Sequence, residues 1–282
     1  MIVIADGGAT KCDWAFVEGG EIVERFKMEG INPFSVPEEH IREVVKRDFV
    51  PVASRYEISH IWFYGAGCGF GGAIIKRILS DIFPSTEVFV GSDIDGAAKA
   101  CCPDGEGIVC ILGTGVSSMQ IEKGECTKRL PGPGYILGDE GSGTVMGRML
   151  LSDFIYNQLP PHLHKLFTEE FSITVPEIID HTYHKPAVNR FFSSFPPFLS
   201  RHIDEEHCRN IVRYNFEMLT KRNLAQYDVD RLSVNFVGSV AAVFEDILTE
   251  VLEQNGIKKG VIVRSPIEHL VKNLTAELNR KH

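Results

Sequence analysis

The chain has 282 residues, of which 44% are hydrophobic and 24% charged, and its net charge at neutral pH is −9. This length predicts one large globular domain or two domains of about 100–200 residues each. The acidic balance argues against nucleic acid as a partner, and no apolar run approaches the roughly 20 residues of a membrane span. With no signal-peptide pattern and seven cysteines in no framework spacing, we expect a cytoplasmic protein.

Three short strand patterns separated by glycine turns open the chain and predict a β-meander; they are Ile2–Ala5, Asp13–Val17 and Ile22–Phe26. Ser35 and Glu38 have the spacing of a capping box, which predicts the start of a helix. Further strands are predicted at Ile61–Tyr64 and Val88–Val90, with a helix at Gly72–Phe83 between them.

The opening pattern of strand, glycine hairpin, strand, turn and strand recurs at residues 108–130. This recurrence predicts two related lobes, each beginning with a glycine hairpin. The segment from about 140 to 230 has mainly helical periodicity. A final pair of strands, Leu232–Val237 and Gly260–Val263, encloses a helix predicted at about 239–254, and a last helix follows Ser265. We therefore expect an α/β fold with the domains 1–107 plus 266–282 and 108–265, the second carrying a helical insertion.

Two of the glycine hairpins could bind phosphate, because glycines let backbone N–H groups approach phosphate oxygens without a side chain in between. The first is Asp6-Gly7-Gly8-Ala9-Thr10-Lys11, where an acid could hold Mg²⁺ and a lysine could balance phosphate charge. The second is Gly113-Thr114-Gly115-Val116-Ser117-Ser118. Either segment alone could equally be an ordinary hairpin turn.

Three more features could contribute to a site. Asp139 and Glu140 lie in a glycine-rich segment that begins at Gly132, where they could bind the hydroxyls of a polyol or, alternatively, cap a helix. Gly238-Ser239 joins a strand to a helix, and its small residues could leave room for a flat ring or form a plain turn. Asp93 follows a strand, where catalytic acids of α/β sheets tend to lie.

The segment Gly67–Gly72 matches the dinucleotide-binding fingerprint. That fingerprint belongs to a βαβ unit, whereas here a β-meander opens the domain, so a nicotinamide cofactor is not expected.

In their order along the chain, these motifs resemble those of the N-acetylglucosamine kinase family, which is grouped with the BadF/BadG/BcrA/BcrD ATPases in the actin/hexokinase-like superfamily. The resemblance covers residues 2 to about 244 and includes Asn32 in Gly30-Ile31-Asn32-Pro33. It implies two ribonuclease-H-like lobes with ATP and an amino sugar in a cleft between them, Mg²⁺ as a cofactor, and a homodimer.

The resemblance also implies a role for each motif residue. Asp93 would be the general base that accepts the proton of the sugar 6-hydroxyl, and Asp6 would help to position Mg²⁺. The residues implied in ATP binding are Gly7, Gly8, Thr10, Lys11, Gly113, Thr114, Gly115, Ser117, Gly238 and Ser239. Those implied in sugar binding are Asn32, Asp93, Thr114, Gly132, Asp139 and Glu140.

Two departures from the mammalian members lie near the implied sugar site. Their Gly-Gly-Trp-Gly loop is Pro131-Gly132-Pro133-Gly134 here, and Pro33-Phe34 replaces the aromatic residue after their sugar-binding asparagine. Glucosamine, N-acetylmannosamine and N-acetylmuramic acid are therefore alternatives to N-acetylglucosamine. Two other functions are alternatives to kinase activity: a BadF-type ATPase that activates a partner through an iron–sulfur cluster, and a catalytically silent sugar sensor.

Overall fold

A computed structural model of the chain describes residues 1–8 and 11–281. The chain forms two compact units. Unit 1 consists of Met1–Pro103 together with the C-terminal segment from Ser265, and unit 2 consists of Asp104–Arg264.

Unit 1 is built on a five-stranded mixed sheet with the strand order β3-β2-β1-β4-β5. The strands β1 to β3 pair antiparallel, which confirms the predicted β-meander, and β4 and β5 extend the sheet parallel to β1. The strands are β1 (Ile2–Gly7), β2 (Lys11–Glu18), β3 (Glu21–Glu29), β4 (His60–Gly65) and β5 (Glu87–Ser92). The helices of this unit are α1 (Glu38–Val44), α2 (Val50–Ala53), α3 (Cys68–Ile82), α4 (Asp93–Cys101) and α13 (Ile267–Lys281), and a π-helical turn, Val45–Phe49, joins α1 to α2.

The core of unit 1 includes large aromatic side chains that point to the same face of β2. Trp14 and Phe16 on one face of this strand are fully buried, and the Trp14 ring stacks on Phe49 with 4.1 Å between ring centroids. Such aromatic pairs add to the stability gained from burying their apolar area. Helix α13 packs against α4, β1 and β2, so the C-terminal segment completes the unit that the N-terminal segment begins.

Unit 2 repeats the topology of unit 1. Its sheet has the order β8-β7-β6-β9-β10, with β6 to β8 antiparallel and with β9 and β10 parallel to β6. The strands are β6 (Gly107–Leu112), β7 (Val116–Glu122), β8 (Glu125–Arg129), β9 (Val234–Val237) and β10 (Lys259–Val263). The repetition predicted from the glycine hairpins is therefore confirmed, and each hairpin joins the first two strands of its sheet.

The helices of unit 2 lie mostly between β8 and β9, as the periodicity predicts. They are α5 (Gly143–Ile155), α6 (Pro161–Phe171), α7 (Val175–His184), α8 (Val188–Phe192), α9 (Pro196–Arg201), α10 (Glu206–Arg222), α11 (Ser239–Val243) and α12 (Glu245–Gln254). The helix predicted at 239–254 is thus two helices, with Phe244 between them. Within the described residues, no helix is both long and apolar enough to cross a membrane.

Two expected boundaries differ from the structure. Helix α1 follows Pro37, with no side chain capping it, so the predicted Ser35 cap is wrong. The N–H of Ser35 instead donates to the carbonyl of Asn32 at 3.1 Å, in a turn organised by the asparagine. Helix α3 begins at Cys68, four residues before the predicted start at Gly72.

Candidate functional site

Three carboxylates lie near one another in unit 1. Asp6 near the end of β1 is the register partner of Asp13 in β2. Asp93 begins α4 directly after β5, whose carboxyl end lies at the same edge of the sheet as that of β1. Burial, and then the charges of Asp13 and Asp93, raise the pKa of Asp6 to about 7, against a smaller lowering effect of Lys11. The predicted base and the predicted metal ligand therefore share one site.

The other two acids of this group are held differently. Asp13 accepts two hydrogen bonds from the Arg25 guanidinium, at 3.1 and 2.9 Å, and Arg25 also binds Glu268 at 3.2 Å. The carboxylate of Asp93 accepts the backbone N–H of Ile94 at 2.9 Å, at the positive end of α4. Asp13 and Arg25 lie in strands that the sequence predicts, but neither is among the predicted site residues.

Asp95 has a structural role at the start of α4. Its carboxylate accepts the N–H and the hydroxyl of Ser92 at 2.9 and 2.7 Å, which forms a capping box at the start of α4. This cap fixes the first turn of α4 and thereby the position of Asp93.

The first hairpin is closed by a hydrogen bond from the N–H of Gly8 to the carbonyl of Lys11 at 2.9 Å. Gly7 is required by close packing, because a β-carbon there would lie 2.7 Å from the Phe63 ring. The predicted ATP ligand Thr10 lies outside the described residues, and Lys11 is exposed at the start of β2.

The second hairpin, Gly113–Gly115, is attached to the start of α5. The N–H of Gly143 donates to the carbonyl of Gly113 at 2.8 Å, and the Thr144 hydroxyl donates to the carbonyl of Thr114 at 2.6 Å. Ser142 caps this 13-residue helix by accepting the N–H of Val145 at 3.2 Å. The positive end of a helix therefore lies behind a glycine turn, an arrangement that favours anions.

One side of this hairpin faces a cavity of about 300 Å³ in unit 2. It brings together the predicted residues Gly113, Thr114 and Ser239. The other lining residues are Gly143, Ser193, Pro196, Pro197, Ser200, Arg201, Val240, Val243 and Phe244. Apolar walls with a few hydroxyls are typical of sites for flat ring systems.

Part of the wall of this cavity comes from the phenylalanine-rich segment 191–198. Phe195 and Phe198 of this segment are buried in the core. Pro196 and Pro197, however, line the cavity.

Gly238, whose φ is +124°, lies close to the backbone of Leu112. A β-carbon on Gly238 would lie 2.3 Å from the Leu112 carbonyl oxygen.

The start of β7, which follows the hairpin, borders a second cavity of unit 2, of about 230 Å³. It contains the predicted residues Ser117, Asp139 and Glu140. The remaining lining residues are Val116, Ser118, Leu130, Pro131, Pro133, Leu137, Gly138, Arg222, Asn223 and Gln226. Gly132 is in the loop that forms one wall, where its β-carbon position lies 3.7 Å from the Val116 carbonyl.

Asp139 is held against the second hairpin. It has φ +62°, its carboxylate accepts a backbone hydrogen bond from Val116, and one oxygen lies near Gly115. Burial, with a smaller contribution from Glu140, raises the pKa of this carboxyl above its usual value. The alternative that Asp139 caps a helix is wrong, since Ser142 has that role.

Asn32 lies in unit 1, in the turn after β3. Its side-chain oxygen accepts the N–H of Phe34 at 2.9 Å, and Gly67 at the start of α3 lies against it. Gly71 packs in the same way on Pro33. The glycines of the segment Gly67–Gly72 therefore allow the start of α3 to approach the turn at Asn32.

Comparison with known proteins identifies the family of the chain. No protein-family model and no curated protein matches it. A solved structure from Porphyromonas gingivalis, provisionally assigned as an N-acetylglucosamine kinase, is 35% identical, with 99% of this chain and 100% of that one covered and a TM-score of 0.95. The chain belongs to the N-acetylglucosamine kinase family. Its enzyme class is that of the sugar kinases.

More distant structures share the fold. A provisionally assigned N-acetylglucosamine kinase from Chromobacterium violaceum is 15% identical with a TM-score of 0.73, covering 96% of this chain and 98% of its own. A provisionally assigned N-acetylmannosamine kinase from Listeria monocytogenes is 16% identical with a TM-score of 0.56, covering 100% and 99%. The expected fold, an α/β protein of two actin/hexokinase-like lobes, is confirmed.

Proposed function

We propose that the protein is an ATP-dependent amino-sugar kinase that transfers the γ-phosphoryl group of ATP to the 6-hydroxyl of N-acetylglucosamine. The observation that carries the proposal is the full-length similarity to the Porphyromonas gingivalis protein, in a chain that has Asp93 beside Asp6 at one sheet edge.

Asp93 is proposed as the general base. Phosphoryl transfer depends mostly on positioning and on charge stabilisation, with one carboxylate that orients the attacking hydroxyl and accepts its proton. The N–H of Ile94 and the positive end of α4 both stabilise the ionised form of a carboxylate at this position. Asp93 is therefore held at the start of α4 by the Ile94 N–H, close to Asp6.

Asp6 beside Asp93 fits a magnesium ion of the kind held by one or two carboxylates and by phosphate oxygens, since the described residues contain no group of three or more metal-ligating side chains. Mg²⁺ prefers oxygen ligands, and the raised pKa of Asp6 shows that several negative charges meet in a buried place. We propose that Asp6 holds the ion, directly or through water, with Asp13 kept in place by Arg25. When bound, Mg²⁺ would neutralise charge on the phosphate oxygens.

The two cavities of unit 2 support separate places for donor and acceptor. We propose that adenosine lies in the cavity beside Ser239, Pro196 and Pro197 and that the sugar occupies the cavity beside Asp139. The segment Gly113–Ser118 contributes residues to both cavities, so we propose that its backbone groups hold the phosphates between them.

The test is coupled ADP release with Mg·ATP and a panel of amino sugars. We expect turnover that depends on N-acetylglucosamine and that falls at least about a hundredfold in Asp93→Asn. The control is Asp81→Asn, which removes a half-exposed carboxylate of α3 that pairs with Arg42 and should retain wild-type activity. ATP hydrolysis at the same rate with and without sugar, or equal activity in the wild type and Asp93→Asn, would contradict the proposal.

The iron–sulfur activator is disfavoured by the cysteines. Such a cluster needs cysteines that can reach a shared surface, whereas six of the seven cysteines here are buried and only Cys126 is exposed. The homodimer and the cytoplasmic location stay predictions.

A further inference from the structure

An ion pair lies in the wall of the cavity that contains Asp139. The Arg222 guanidinium of α10 binds the carboxylate of Glu140, and both residues line the cavity. The Glu140 side chain is only 17% exposed, whereas that of Arg222 is 54% exposed. The carboxylate is therefore the more enclosed partner, and the pair joins the glycine-rich segment to the end of a long helix.

The balance of charge in this cavity is negative. Among its lining residues the charged ones are Asp139, Glu140 and Arg222, which leaves one negative charge when both acids are ionised. Glu140 offsets the Arg222 charge, so an incoming anion gains little net attraction from this guanidinium. The Lys128 ammonium keeps its charge, but it binds the backbone carbonyl of Gln226 and does not line the cavity, so it acts from farther away.

The rest of the wall is suited to uncharged groups. Leu130, Pro131, Pro133 and Leu137 give an apolar side against which an acyl methyl group could pack, and Ser117 and Gln226 offer neutral hydrogen-bonding groups. An amino sugar with a neutral acyl group, or with a cationic amine, can enter without a charge conflict. A sugar that carries a carboxylate is repelled by Asp139 and Glu140, and the one cation in the wall, Arg222, is paired with Glu140.

We infer that the Glu140–Arg222 ion pair sets the charge selectivity of the sugar site, which admits neutral and cationic amino sugars and rejects acidic ones. This inference rests on the proposed function, and it adds Arg222 as a specificity residue. It separates N-acetylglucosamine, N-acetylmannosamine and glucosamine from N-acetylmuramic acid, whose 3-O-lactyl group is a carboxylate.

Three sugars distinguish charge from size: N-acetylglucosamine, N-acetylmuramic acid and the neutral lactyl amide of N-acetylmuramic acid. Two like charges about 6 Å apart at an effective dielectric constant of about 20 disfavour binding roughly a hundredfold. Because solvent and salt reach a half-open cavity, we expect kcat/KM for the acid to lie at least about tenfold below that for the amide. If the amide is rejected as strongly as the acid, size excludes the lactyl group and the inference is wrong.

Variants test the ion pair itself. Glu140→Gln leaves the guanidinium unpaired, so the ratio of kcat/KM for the acid to that for the amide should rise at least about tenfold. Arg222→Gln should not raise this ratio, because it removes only the positive charge. Arg231→Gln, which breaks an ion pair with Glu122 elsewhere in unit 2, should give the wild-type ratio. An unchanged ratio in Glu140→Gln would overturn the inference.

Equilibrium binding keeps this test separate from catalysis. Titration calorimetry with the same three sugars should show the same order of dissociation constants in the wild type and the same change in Glu140→Gln. If no sugar is phosphorylated but this binding order holds, the proposed kinase activity fails and the charge selectivity stands. If the wild type binds the acid as tightly as the amide, or binds none of the sugars, the inference fails.

Discussion

Replacing Asp6 by asparagine should make the metal-free protein more stable while it removes a group needed for activity. Burial and the neighbouring carboxylates raise the pKa of Asp6 from 3.8 to about 7. Between these values the folded state holds a proton that the unfolded state has released, so the free energy of unfolding falls as the pH rises and levels off above about 7. Asparagine has nearly the same shape and does not ionise.

The size of the effect follows from the width of this window. Each pKa unit corresponds to about 1.4 kcal/mol, so the ionised Asp6 destabilises the folded state by about 4 kcal/mol above pH 7. The difference in the free energy of unfolding between Asp6→Asn and the wild type should therefore increase by about 3 kcal/mol when the pH is raised from 5 to 8. This figure already includes the relief of repulsion from Asp13 and Asp93, because both charges contribute to the raised pKa of Asp6.

Urea unfolding in a chelating buffer at several pH values measures the difference. Tryptophan fluorescence reports on unit 1, because both tryptophans, Trp14 and Trp62, are in it. Asp81→Asn, which removes an exposed carboxylate, should shift stability by an amount that hardly depends on pH. Parallel pH dependences of the wild type and Asp6→Asn, or a less stable Asp6→Asn at pH 8, would refute the reasoning.

Two further substitutions test unit 2. Val243→Trp places a large ring at the rim of the cavity proposed for adenosine, so KM for ATP should rise at least about tenfold while calorimetric binding of the sugar is retained; an unchanged KM would place the nucleotide elsewhere. Gly238→Ala drives a β-carbon to 2.3 Å from the Leu112 carbonyl oxygen, and should cost at least about 2 kcal/mol in urea unfolding. Gly256→Ala, also at positive φ but with open space around it, should cost only about 1 kcal/mol, and equal losses would contradict the steric argument.

The repeated sheet topology could be predicted because its signals are local. Short apolar runs define most strands, and glycine pairs such as Gly19-Gly20 mark the turns, so a few residues at a time predict the β-meander. The motif order then indicated the family, which the full-length similarity confirms.

Features that depend on distant residues could not be predicted in this way. The cavity beside Ser239 combines Thr114, Pro197 and Val243, which are far apart in sequence and meet only when α9 and α11 pack beside the hairpin. The predicted start of helix α1 was wrong for a related reason, because a backbone contact outside the motif decides it. The Ser35 spacing was suitable for a cap, but the carbonyl of Asn32 organises that turn instead.

The repeated topology also shows how one hairpin design can have opposite electrostatics in the two units. In unit 1 the residue before the first hairpin glycine is Asp6, and Asp13 lies across the strand pair, so the surroundings attract cations. In unit 2 the corresponding residue is the buried Leu112, and the hairpin is attached to the positive end of α5, which favours anions. A nucleotide with its metal needs both kinds of environment. The close carboxylates of unit 1, which we expect to lower its stability, are therefore consistent with a cation being bound beside them during function. The second hairpin has no such group of carboxylates, and we expect no similar loss of stability there.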